Sequence, residues 1–233
     1  MSFRPNPPQS QTPINPLPVI VWVLALPLIA FEVVFALGSS GLVGGPMAIG
    51  WRLEAIQWFA FSPELLRYMA QTGDWTFGGV ARTLTYPLVH GTFSHALFVI
   101  VILLALGKMV GEIFRWWAVL VIVLGAAIVG ALVYTLALPW NTAPLIGGYP
   151  PVYGLIGAFS FILWVRLSGR GGNQLQAFSL IGFLMGFQLL FGVLFGGTWE
   201  WVAELAGFAT GFLLSFLVSP GGFARVRARL RQR

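Results

Sequence analysis

The chain alternates long apolar runs with short polar interruptions. Runs close to the roughly 20 residues that cross a bilayer extend over Leu17 to Leu37, Tyr86 to Leu106, Trp116 to Leu138, Pro151 to Leu167, Ala177 to Phe195 and Trp199 to Leu217. They predict an all-α membrane protein, a six-helix bundle over residues 17–218 with both termini on one side. Residues 1–16 are polar and proline-rich and read as a disordered tail, and residues 219–233 read as a basic tail. The first run is too long for an ordinary cleaved signal, so it is expected to remain as a span.

The rhythm breaks between residues 38 and 85, which predict a long interfacial loop. Ser62-Pro63-Glu64 places a capping hydroxyl, a proline at the first helical position and an acid in the first turn, so a helix should begin there. Before it, Trp51, Leu53, Ile56, Trp58 and Phe59 mix with Arg52, Glu54 and Gln57, a composition suited to the membrane surface.

Composition agrees with the pattern: 58% of residues are hydrophobic, 9% are charged, and mean hydropathy is +0.85. The basic residues give the orientation. With the N-terminus inside, the inner segments hold Arg4, Lys108, Arg115, Arg166, Arg170 and the five arginines from Arg225 to Arg233, against Arg52, Arg67 and Arg82 outside. This asymmetry predicts both termini in the cytoplasm. The isoelectric point near 10.5 then reflects topology, and the arginine tail is expected on anionic lipid headgroups. Nucleic acid is not an expected partner, because the tail is short and has no interleaved aromatics. The chain has no cysteine, which excludes disulfides, thiol nucleophiles and thiolate metal sites.

Two segments carry candidate chemistry. Gly147-Gly148-Tyr149-Pro150-Pro151-Val152-Tyr153-Gly154-Leu155-Ile156-Gly157-Ala158 resembles the rhomboid family's G-x-S-G-x-x-[YF]-G-x-x-G-A, with Tyr149 at the serine. Ala203-Glu204-Leu205-Ala206-Gly207-Phe208-Ala209-Thr210-Gly211 is similar to its A-H-x-x-G-x-x-x-G, with Glu204 at the histidine. The stretch Arg82 to Val99 is similar to R-x-x-T-x-x-x-x-H-x-x-x-x-H-x-x-x-N, keeping His90 and His95 but placing Val99 at the oxyanion asparagine. Leu106 to Glu112 resembles the G-x-x-x-E turn, with one extra residue.

The resemblance implies a rhomboid-like membrane bundle in a bacterial inner membrane whose serine–histidine dyad is absent. The retained residues Gly147, Tyr153, Gly154, Gly157, Gly207 and Gly211 imply an intact scaffold, with Tyr153 facing Glu204. Members lacking the catalytic residues typically bind transmembrane segments of client proteins, and that is the expected role; no cofactor is implied. A divergent intramembrane serine endopeptidase is the alternative, and a small-solute transporter using Glu32, His95 and Glu204 is a third reading.

The residues themselves say more. His90 and His95, five apart on a continuous helix, would diverge by roughly 140° and could not easily share a metal. Glu204, Gly207 and Gly211 share one helical face, and small residues mark a packing face, so Glu204 is expected inside the bundle. There it would form a polar clasp with Tyr149 or His95; alternatively it sits among Trp199, Glu200 and Trp201 as an interfacial charge. As a nucleophile, Tyr149 has an unperturbed pKa of about 10. Pro150 offers no N–H and Val99 no donor. Ser160 lies roughly 16 Å further along the same predicted helix, and Ser94 projects away from His95. A fourth span of some seventeen residues from Pro151 would be short enough to perturb the surrounding bilayer.

Overall fold

A computed structural model describes residues 16–195 and 197–221. The N-terminal tail before Pro16 and the arginines from Arg225 to Arg233 lie outside the described residues. The described chain is helical, with a single antiparallel bridge between Phe61 and Leu145. Its helices are α1 (Val19–Ser39), α2 (Trp51–Phe59), α3 (Pro63–Thr72), α4 (Phe77–Thr85), α5 (Phe93–Gly111), α6 (Trp116–Ala137), α7 (Tyr149–Ser168), α8 (Ser179–Phe195) and α9 (Trp201–Val218).

Among the described residues, five helices are long and apolar enough to cross a membrane: α1, α5, α6, α7 and α9. The chain is therefore a multi-pass membrane protein. α8, with 17 residues, is at the short end of the spanning range. The fourth run is longer than expected, since α7 has 20 residues and starts at Tyr149. The fourth run is therefore not short.

The second run is also redrawn. Pro87 limits Tyr86–Leu88 to a 3₁₀ turn, and Val89 is extended. Thr92 then caps α5, its hydroxyl accepting from the His95 N–H at 3.1 Å. His90 therefore precedes the helix, and the expected 140° divergence from His95 does not apply.

Helix contacts fix the register. Val21 of α1 packs on Gly107 and Pro18 on Gly111, so α1 and α5 are antiparallel. Gly207 abuts the Pro150 carbonyl, Gly211 abuts that of Gly154, and Gly157 abuts that of Phe208, so α7 and α9 run parallel. A Cβ at any of the three would collide with backbone, which is why this seam holds glycine. α7 is the centre of the bundle, with Pro150 to Ala158 buried along with Ser160, Phe161 and Ile162.

The 38–85 region is more than a loop: it folds into α2, α3, α4 and a preceding 3₁₀ turn. α3 begins where Ser62-Pro63-Glu64 predicts, and the Ser62 hydroxyl accepts from the Leu65 N–H at 3.2 Å. Arg67 fastens this region to the bundle, and Arg82 ties α4 to α2 within it. Arg67 donates to the Asn141 carbonyl at 2.7 Å and to that of Thr135 at 3.3 Å, while Arg82 donates to those of Ala60 and Gln57. Together with the Phe61–Leu145 bridge, these bonds place α2–α4 at the end of the bundle where α7 begins.

Candidate active site

The segment before α7 turns at Gly147, whose φ of +86° lies in the left-handed region that glycine tolerates. A side chain there would also strike the His95 ring. Gly148 donates its N–H to His90 Nε2 at 3.2 Å. The neutral ring then carries its proton on Nδ1, which is buried without a partner. His90 is fully buried. Burial, with the nearby charges of His95 and Arg52, pushes its imidazole down to about 3, so it is neutral at physiological pH.

His95, in the first turn of α5, stacks on Tyr149 with ring centroids 4.9 Å apart and planes 17° apart. It also meets His90 edge-on at 4.9 Å. The structure thus brings together two histidines that a continuous helix would have separated. Among the described residues, no group of three or more His, Cys, Asp or Glu side chains could hold a metal ion. Tyr149 in turn meets Tyr153 edge-on at 6.4 Å.

Glu204 lies in the first turn of α9 and is 3% exposed. Its carboxyl faces Gln188 of α8 and Tyr153 of α7, and its Oε2 has no hydrogen-bond partner. Tyr153 donates a long hydrogen bond to Gln188 Oε1, at 3.5 Å. The expected hydrogen bond from Glu204 to Tyr149 or His95 is not formed. Tyr149 turns its ring onto His95, leaving Glu204 with Tyr153 and Gln188. The alternative of a water-exposed interfacial charge fails too, since Glu204 is buried. Glu200, one turn earlier, hydrogen-bonds Thr198, and burial holds its carboxyl above the usual range.

Val99 is fully buried beside Gly148. It lines an apolar cavity of about 100 Å³ with Leu24, Leu28, Pro87 and Leu103, so the position matching the oxyanion asparagine faces hydrocarbon. Ser160 is fully buried with its hydroxyl unpartnered. Ser94 is exposed and pairs with the Thr92 hydroxyl at 3.2 Å. Among the described residues, no serine hydroxyl hydrogen-bonds a histidine or a carboxylate.

Sequence reasoning missed an ion pair behind the site. Arg52 of α2 grips Glu32 of α1 through two bonds of 2.9 and 2.7 Å, and donates to the His90 carbonyl at 2.8 Å. Its guanidinium lies 4.8 Å from the centre of the Phe35 ring. The available signal was the acid inside an apolar run, since an intramembrane charge needs a partner. Gln188, a polar residue within the apolar run of α8, was missed in the same way.

A rhomboid domain matches residues 78–221, from α4 through α9. No curated protein matches the chain. That domain covers more than half of the 233 residues and takes in both histidines, the turn at Gly147 and the glycine seam of α7 and α9, so the chain belongs to the rhomboid family.

Proposed function

We propose that the protein is a noncatalytic rhomboid-family member that binds transmembrane segments of client proteins and affects their assembly, stability or turnover. The observation that carries this reading is the stacking of Tyr149 on His95 with a buried Glu204 across from Tyr153. A serine protease needs a nucleophile within hydrogen-bond reach of a base and donors aimed at the oxyanion. Here an aromatic ring occupies the motif's serine position, Pro150 has no N–H, and Val99 faces an apolar cavity. Client binding draws support from an apolar groove of about 640 Å³ between α6 and α9, rimmed by Trp140, Trp199 and Trp201.

The same reading takes α8 as a sixth span and places both termini in the cytoplasm of a bacterial cell, with the protein in the inner membrane and the Arg225 to Arg233 tail on anionic lipid. Fluorophosphonate labelling in lipid tests the proposal, because the probe reports an activated serine without a known substrate. The native chain should not label, and the triple change Tyr149→Ser, Glu204→His, Val99→Asn should acquire labelling. Labelling of the native chain that one serine substitution abolishes would instead make it a divergent serine endopeptidase.

A further inference from the structure

Glu204 is a buried carboxyl that the bundle leaves half satisfied. Gln188 and Tyr153 face it, yet its Oε2 is buried with no partner. The charge that acts on it is Glu200, of the same sign. The arginines at this end of the bundle are committed elsewhere: Arg52 to Glu32 and the His90 carbonyl, Arg67 and Arg82 to carbonyls of the interfacial helices and loops. Two acids, two tyrosine rings and an amide therefore converge with no cation among them. Burying such a carboxylate is costly unless something pairs with it.

We infer that Glu204 is the anchor for a primary ammonium group, the side chain of a lysine within a client's transmembrane segment. The inference rests on the client-binding function proposed above and names the chemistry of the client. An ammonium is a compact charge with three donors, and one can reach a single free oxygen; a guanidinium fork is matched to two. A lysine in a span lacks a partner in lipid, so pairing satisfies both groups. The depth is suitable: Glu204 is three residues, or about 4.5 Å of helical rise, inside Trp201. The approach would be from the side of α8, which carries Gln188 and packs only lightly on α7.

The test is a titration of the full chain in phosphatidylcholine vesicles with a synthetic single-span leucine–alanine peptide, followed by energy transfer. One peptide carries a lysine one turn inside its outer end, and its twin carries methionine there. The lysine peptide should bind the native chain about tenfold more tightly or better, in the range measured for buried charge pairs. Glu204→Gln should remove that preference while still binding the methionine peptide. The lysine–methionine comparison needs no variant, so a misfolded mutant would not blunt it. Equal binding of the two peptides by the native chain overturns the ammonium site and leaves client binding standing. Binding of neither peptide overturns both. Repeating the titration with phosphatidylethanolamine separates the two sources of ammonium. An unchanged preference supports the client lysine, and its loss assigns the site to the lipid headgroup and overturns the inference.

Discussion

Replacing Arg52 by methionine removes a guanidinium that holds three oxygens at 2.7 to 2.9 Å while keeping most of the side chain's bulk. Glu32 is left 6% exposed with no counter-ion, whereas the Arg52 side chain is 24% exposed. Breaking a buried pair from one side costs about 3–5 kcal/mol, and the water that reaches Arg52 puts this case near ~3 kcal/mol. Glu32→Leu should cost only ~1 kcal/mol, because Arg52 keeps the His90 carbonyl and its access to water. The double variant should cost ~2 kcal/mol, chiefly the unsatisfied His90 carbonyl. The coupling is then ~2 kcal/mol, inside the range for residues in direct contact. Reversible unfolding by steric trapping in bicelles measures all three. Single losses that add to the double within about 0.5 kcal/mol would refute the claim that the pair acts as one buried unit.

At the seam, Gly211→Ala drives a methyl into the Gly154 carbonyl and should cost ~1–3 kcal/mol or more. Gly182→Ala on α8, where a Cβ meets nothing within 4 Å, should lose nothing in the same unfolding assay. His90 should make the fold acid-sensitive: between 6.5 and about 3 the unfolded chain takes up a proton that the folded ring refuses. Stability present at neutral pH is therefore lost as pH falls through 6.5, by ~2 kcal/mol at pH 5. Comparing unfolding at pH 7 and pH 5 checks this, and His90→Gln should lack that part of the difference. Tyr86, fully buried, donates to the Ala127 carbonyl at 3.0 Å, so Tyr86→Phe should cost ~1 kcal/mol by the same measurement.

What the sequence conveys depends on whether a signal is periodic or relational. The apolar runs locate the five long helices, because bilayer thickness sets their length, and they locate α8 as well. The start of α3 is legible because cap, proline and acid occupy consecutive positions. The α7–α9 seam is legible because glycine spacing repeats once per turn on both helices. The start of α5 is less legible: hydrophobicity continues smoothly through Tyr86 to Val89, and only Pro87 and Thr92 mark the break. The contact between the histidines is hidden with it, because it depends on His90 lying in the turn. The Arg52–Glu32 pair joins residues on two separate elements, and no local pattern encodes it. The glycine face of α9 points Glu204 inward, but its partner depends on which way the Tyr149 ring turns, a choice made by His95.

The central position of α7 bears on how the protein is made. Of the five long helices it is the least apolar, and it carries Tyr149, Pro150, Pro151 and Tyr153 at its head. During synthesis it leaves the ribosome well before α9, with its glycine face and polar groups turned toward lipid. Its proper neighbour is then some fifty residues from being made. Assembly around α7 therefore waits for α9, and a chain that stops before Trp201 would leave its own centre uncovered, a natural target for membrane quality control.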